Sequence, residues 1–399
     1  MKFKEDTSLG ILGDADSEEM WVDILSHIPD SDLLKPNVKI LSIACGHGTE
    51  ARILSKRMLA LGVSKDKVCN SIWVNDKYMT FTNRAKKACG FTNVITGDFL
   101  AWETTEKFDI IVGNPPYTRP IVPGIKQPKG NNLWTLFVKK AYDMSNDDAY
   151  MSFITPDSWM SANSKILDMF KENHLIWCDT TVGKYFRQGS SFTAWVMKKS
   201  KGTDSEIDGK KFDLSKVSYM PKNFHMSYPI HQKVIYNVKS KIDSLNDATC
   251  HSDHKKGNLS KTPDGTYKFK TFHTNAQTPY SKVKGKHHDN HKIIWTLSGY
   301  YIPFYDPGTS SVTEICHYIL VNDSDEADTV MRYMDSNLYK FIVTTGKWSG
   351  FSNSKVINGL PKLDHKKKWT NDSIYKHFKL TPEEIDYVEE FIKPKQPKQ

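Results

Sequence analysis

"VKILSIACGHGTEARILSKRMLALG", residues 38 to 62, contains a strand, a turn and a helix in one run. Val38 to Ile43 is an apolar run that reads as a buried strand, and it ends in Ala44-Cys45-Gly46-His47-Gly48. EARILSKRMLALG then spaces its apolar residues as a helix does and stops at Gly62. Two glycines between a strand and a helix let the backbone turn tightly and approach a ligand closely, with the helix amino end directed at it. A strand followed directly by a helix predicts a parallel sheet if the pattern repeats.

The pattern does repeat. VCNSIWVND (68–76), NVITGD (93–98), FDIIVGN (108–114) and AYMSFITP (149–156) read as further buried strands. YMTFTNRAKKACG and NNLWTLFVKKAYDM read as helices between them. TTVGKYF and SSFTAWVMKKS add late strands. The expectation is an α/β domain with helices on both faces of its sheet. KGTDSEIDGKK (201–211) is polar and without apolar periodicity, and it reads as a linker between domains at 1–200 and 212–399. Beyond it, KIIWTLSGYYIPFYDPG and ICHYILVND read as strands, and ADTVMRYMDSNLYKFIVTTG as a single helix. LTPEEIDYVEEFIKP reads as a terminal helix capped by Thr381 before Pro382. Residues 244–291 carry no periodicity and read as a long functional loop.

A chain of 399 residues exceeds one hydrophobic core, in keeping with two domains. No apolar run approaches a membrane span and the N-terminus lacks the apolar core of a secretory signal, so no membrane partner and a cytoplasmic location are expected. The cysteines at 45, 69, 89, 178, 250 and 316 form no C-x-x-C pair, which argues against a zinc site and a disulfide framework; no metal is expected. The net charge is +9, and eleven of the fourteen histidines follow residue 200. The stretch His251–Lys292 mixes Lys, His and Asn with few acids, as a phosphate-facing surface would.

The chemistry gathers at strand ends. Asp76 follows the second strand, where a ribose-binding acid is expected in a dinucleotide-type crevice, and Asp98-Phe99 follows the third. The fourth strand runs straight into Asn114-Pro115-Pro116-Tyr117. Two prolines end strand pairing rigidly and hold an amide and an aromatic ring at the carboxyl edge of the sheet. Read singly, Asp76 and Asp98 suit turn caps and Phe99 suits ordinary core. Their succession at neighbouring strand ends favours a ligand crevice.

ITGDFLAWETTEKFDIIVGNPPY (95–117) with ACGHG (44–48) resembles the S-adenosylmethionine-dependent DNA adenine-N6 methyltransferases of restriction-modification systems. The likeness is to the class in which the cofactor motif comes first and the target recognition domain last. It continues through NNLWTLFVKKAYDM, FITPDSWMSA and GKYFRQGSSFTAWVM, and returns weakly at NSKVINGLPKL (353–363). The resemblance implies a Rossmann-like class I methyltransferase sheet with a C-terminal α+β target recognition domain. It implies S-adenosyl-L-methionine as cofactor, bound by Ala44, Cys45, Gly46, Gly48, Asp76, Asp98, Phe99 and Asn114. It also implies double-stranded DNA as partner, a monomer, and a separate cognate restriction endonuclease as a further partner.

In that family the residue matching Asn114 and the carbonyl matching Pro115 accept the N6 hydrogens, Pro116 stiffens the loop and Tyr117 stacks on the extruded base. Phe186 matches the opposite wall, with Tyr185 and Phe192 as rivals. The chain departs from the family at Ser42 and Val74, where acids are usual, so Asp76 or Asn75 would take the sugar. The N-terminal cofactor anchor would be LGILGDADSEEM (9–20), with Ser17 capping a helix. Related loops methylate RNA bases or a protein glutamine amide, and a degenerate copy could serve as an inactive DNA-binding subunit. The long basic second half favours a nucleic acid, and the intact loop favours catalysis.

Overall fold

The computed structural model describes residues 14–119, 132–162, 164–186, 191–236, 241–247, 249–250, 258–275, 277–299, 301–348 and 354–393. These pack as two compact units, Met1–Trp159 with Lys165–Val217, and Met160–Ser164 with Ser218–Gln399. Residues 9–13 of the expected N-terminal anchor and 187–190 of GKYFRQGSSFTAWVM lie outside the described residues.

The first unit is an α/β domain. Its strands are β1 (Ile40–Ile43), β2 (Ile72–Asp76), β3 (Asn93–Thr96), β4 (Phe108–Gly113), β5 (Ser145–Pro156), β6 (His174–Asp179), β7 (Phe192–Lys198), β8 (Ser205–Ile207) and β9 (Lys210–Phe212). They form one sheet in the order β3-β2-β1-β4-β5-β7-β6-β8-β9. Strands β1 to β5 are mutually parallel, and β7 runs antiparallel between β5 and β6. The order reverses between β1 and β4, and that switch point opens the crevice in which such sheets bind ligands.

The helices are α1 (Asp14–Ser26), α2 (Asp30–Leu33), α3 (Thr49–Ala60), α4 (Lys65–Ser71), α5 (Met79–Cys89), α6 (Leu133–Met144) and α7 (Lys165–Glu172). On one face, Trp21 and Ile24 of α1 and Ala51, Leu54 and Met58 of α3 close a core with Ile40, Val74, Val112 and Val196. On the other, Phe170 of α7 meets Trp195 at 4.8 Å, and Trp195 meets Phe153 at 5.2 Å. Strand residues therefore alternate between two buried faces, which is why these strands read as continuous apolar runs.

Four expectations change. The 68–76 strand begins only at Ile72, because Ser64 accepts from Lys67 N–H and starts α4 over the preceding residues. TTVGKYF is a 3-10 turn at Val182–Tyr185, not a strand. Ser17 lies inside α1, not at its cap. The 201–211 stretch is no linker: β8 pairs with β6, and β9 folds back on β8 through Asp208 and Gly209, both at positive φ (47° and 78°). Its polarity is that of an exposed edge hairpin, with the Asp-Gly turn such hairpins favour. The first unit thus runs to Val217 instead of 200.

The second unit is α+β. A three-stranded sheet joins β13 (His291–Thr296) to β14 (Phe304–Pro307) and β16 (Cys316–Leu320). A four-stranded sheet holds β10 (Leu259–Ser260), β11 (Phe269–Phe272), β12 (Tyr280–Ser281) and β15 (Ser311–Val312), so part of the expected loop at 244–291 is paired strand. The helices are α8 (Phe224–His231), α9 (Ser324–Met334), α10 (Asn337–Thr345), α11 (Ser354–Ile357), α12 (Asn371–His377) and α13 (Pro382–Ile392). The helix expected over 327–346 is two, because the Ser336 hydroxyl accepts from Tyr339 N–H and starts a new one. Thr381 and Glu384 form the expected cap of α13.

Candidate active site

Register fixes the site. Ile43 pairs with Asn75 on one side and Gly113 on the other, so Ala44, Asp76 and Asn114 are the next residues along at one level, Asp76 being the last of β2. The close approach of β1 and β4 needs glycine, since a Cβ on Gly113 would come within 2.4 Å of the Ile43 carbonyl oxygen.

The turn after β1 is held from β2. Cys45 N–H donates to Asn75 O at 3.0 Å, and Gly46 N–H to Asp76 Oδ2 at 2.9 Å. Asp76 Oδ1 accepts from Tyr78 N–H at 2.9 Å, so both carboxylate oxygens brace the backbone. Asn75 is buried, with its amide donating to Ile95 O and Gly97 O. Gly48, at φ 72°, packs so near α5 that a Cβ would lie 3.1 Å from that of Ala85. Asp98 is exposed, and its Oδ1 accepts from Leu100 N–H. Phe99 is buried, with its ring 5.3 Å from that of Phe137 and under the Lys140 ammonium.

Sequence reasoning assigned no role to Glu50, on the first turn of α3. The Ser42 hydroxyl donates to Glu50 Oε1 at 2.6 Å, and the two residues are 0% and 5% exposed. Burial pushes the Glu50 carboxyl up to about 7, and burial also raises Asp76. Neither acid is ion-paired among the described residues. Two buried carboxylates without an ion pair among the described residues, beside a turn open to close approach, suit S-adenosylmethionine, whose sulfonium and ammonium are positive.

Beyond β4, Pro115 is buried and Pro116 exposed. The half-buried Tyr117 donates its hydroxyl to Asn114 Oδ1 at 2.6 Å, and burial raises its phenol well above the ordinary value. Tyr117 O accepts from Leu133 N–H at the start of α6, and Thr118 bridges Asn132. The ring next to Tyr117 is Phe192, at 4.9 Å, and the Phe186 ring lies 4.6 Å from that of Phe192. Phe192 thus packs against both of the other rings. Tyr185 packs at the edge of the same core.

In the second unit, Lys268, Lys270, Lys282 and Lys286 are exposed. Lys292 is instead buried, paired with Asp306 at 2.6 Å and donating to the carbonyls of His287, His288 and Asn290. Among the described residues no His, Cys, Asp and Glu side chains converge as a metal site, and no helix is long and apolar enough to cross a membrane.

The pattern of the Eco57I restriction-modification methylase family matches residues 49–185. The chain is 24% identical over 220 residues to an uncharacterized adenine-specific methylase of Mycoplasma pneumoniae, covering 48% of this chain and 51% of that one. It is 64% identical over 28 residues to the type II methyltransferase M.CvrRI of Paramecium bursaria Chlorella virus XZ-6E, 7% of either chain. The chain thus spans about half the length, or less, of these relatives. A cryo-EM structure of a DrdV–DNA complex overlays with TM-score 0.49 at 8% identity, covering 96% of this chain and 57% of that one. The sequence matches, each over part of the chain, are to methylases and methyltransferases.

Proposed function

We propose that the protein is a site-specific DNA methyltransferase that moves the methyl group of S-adenosylmethionine to N6 of an adenine extruded from duplex DNA. The reading rests first on the Asn114-Pro115-Pro116-Tyr117 loop at the end of β4, level with the glycine turn that ends β1.

The cofactor supplies an electrophilic methyl group. The protein's task is the nucleophile: an exocyclic adenine nitrogen is weak because its lone pair is delocalised into the ring. Asn114 Oδ1 and the Pro115 carbonyl would accept its two hydrogens, drawing the nitrogen out of plane and aiming the lone pair. An amide suits this role because it accepts without first losing a proton. Tyr117 supplies a stacking face that offsets part of the cost of extrusion, roughly a few kcal/mol. The turn Ala44–Gly48 would hold the cofactor with Asp76 as its brace, and Asp98 and Phe99 would flank the adenosine.

The second unit is proposed as the target recognition domain, with Lys268, Lys270, Lys282 and Lys286 facing phosphates. These exposed lysines favour a nucleic acid over a protein amide as substrate. The protein would act as a monomer in the cytoplasm, with any cognate endonuclease a separate chain. Methylation-sensitive sequencing of DNA from cells expressing the protein or its Asn114→Ala variant tests the reading. A sequence motif carrying N6-methyladenine should appear with the native protein and vanish with the variant. Methylated RNA with unchanged DNA would move the substrate class, and no methylation of either would refute the proposal.

A further inference from the structure

We propose that Glu50, held by Ser42, is the residue through which the cofactor site distinguishes a sulfonium cofactor from its neutral thioether product. The proposal rests on the methyltransferase reading above.

The strand position where the resembling family has an acid is Ser42 here, and the Ser42 hydroxyl ties Glu50 from α3 to that place at 2.6 Å. A carboxylate is thus restored at the end of β1, delivered from the helix. It is 5% exposed. The groups acting on it are Asp76 from β2, which disfavours its charge, and Arg52 from its own helix, which favours it; Cys45 and His47 lie on the turn beside them. Arg52 is itself paired with Glu18 of α1 at 3.3 Å. Glu50 therefore has hydrogen bonds but no ion pair of its own among the described residues when ionised, and a positive ligand would supply one. Methyl transfer removes the positive charge from sulfur, so the same carboxylate holds the product less well. A carboxylate present only to brace α3 against β1 would hold both ligands equally.

Calorimetric titration of the full-length protein with S-adenosylmethionine, S-adenosylhomocysteine and an analogue bearing a protonated amine in place of the methylsulfonium tests this. Both cationic ligands should bind about five- to tenfold more tightly than the thioether, the scale of one charge across a partly solvated pocket. The gap should widen from about pH 6 to about pH 8, as Glu50 ionises near its pKa of about 7. Glu50→Gln should shrink the gap to about twofold or less and abolish its pH dependence. Ser42→Ala keeps the glutamate but removes the donor favouring its charge, so the pH window should move upward; this variant serves if Glu50→Gln does not fold. A gap that persists in Glu50→Gln, a window that Ser42→Ala leaves in place, or equal binding of product and cofactor to the native protein overturns the proposal. If none of the three ligands binds the native protein, the methyltransferase reading itself fails.

Discussion

The Tyr117 hydroxyl donates to Asn114 Oδ1 at 2.6 Å, so the amide oxygen proposed to receive an adenine N6 hydrogen already holds a hydrogen bond from its own loop. The oxygen has a second lone pair, and the incoming N6–H can share it or displace the phenol. The bond and the ring face are separate contributions of one residue. Tyr117→Phe should keep stacking and lower kcat by roughly fivefold, the worth of one hydrogen bond. Tyr117→Ala should lower kcat/KM by roughly a hundredfold through loss of the stacking face. Steady-state kinetics on a methylatable duplex separates the two; equal losses would show that the ring contributes nothing.

Phe192 packs directly against Tyr117 and also touches Phe186, so it is the ring that steadies Tyr117. Phe192→Leu should therefore raise KM for DNA and lower kcat, while Phe186→Leu changes both less. A larger effect from Phe186→Leu would return that residue to the wall opposite Tyr117. Methylation rates of the two variants at matched folded concentration decide between them.

Glu50 also couples stability to pH. Its folded-state pKa lies near 7, above its ordinary value of 4.5, so the ligand-free fold binds the proton more tightly than the unfolded chain does. The stability this contributes is complete below about pH 4.5 and is lost as pH rises through about 7. Glu50→Gln removes the dependence. The stability of the variant relative to native should grow by about 3 kcal/mol between those limits, measured by urea unfolding at a series of pH values. A difference that stays flat would mean that Glu50 titrates in the fold as it does in the unfolded chain.

Gly113→Ala tests the close approach of β1 and β4. Its Cβ would meet backbone, the Ile43 carbonyl at 2.4 Å, which no side-chain rotation relieves. A loss of about 2–4 kcal/mol is expected, together with weaker cofactor binding because the level of the strand ends shifts. Unchanged thermal unfolding would contradict the strand register.

Lys292→Met leaves Asp306 buried and unpaired, and removes the cation from three carbonyls. A cost of about 3–5 kcal/mol is expected, whereas Lys292→Met with Asp306→Leu should recover much of it. Denaturant unfolding of the single and double variants checks both values.

Much of this was legible in the sequence because parallel strands are buried on both faces and announce themselves as apolar runs. The glycine turn and the double proline were equally plain, since each residue type there has one backbone purpose. What stayed hidden depends on register or on partners far along the chain. The β8–β9 hairpin carries an Asp-Gly turn, but its polar composition resembles a linker because an edge has no buried second face. Which of Phe192 and Phe186 touches Tyr117 is a matter of tertiary packing that spacing along the chain does not encode. Glu50 could have been suspected: it stands eight residues after Ser42, on the first turn of the helix that follows the glycine turn. Lys292 read as a surface cation because its partner, Asp306, lies on the next strand.

The second unit includes Met160–Ser164, a five-residue excursion that leaves β5 and returns to α7. Met220 N–H donates to Met160 O, and the Lys355 ammonium to Ala162 O. The second unit is therefore not a detachable tail. A chimaera joined only at Val217–Ser218 would leave this segment facing a foreign surface, whereas one that transplants residues 160–164 along with the tail keeps both hydrogen bonds. Exchanging the second unit between related chains, in the laboratory or by recombination between genes, thus demands three junctions, at 159/160, 164/165 and 217/218, instead of one.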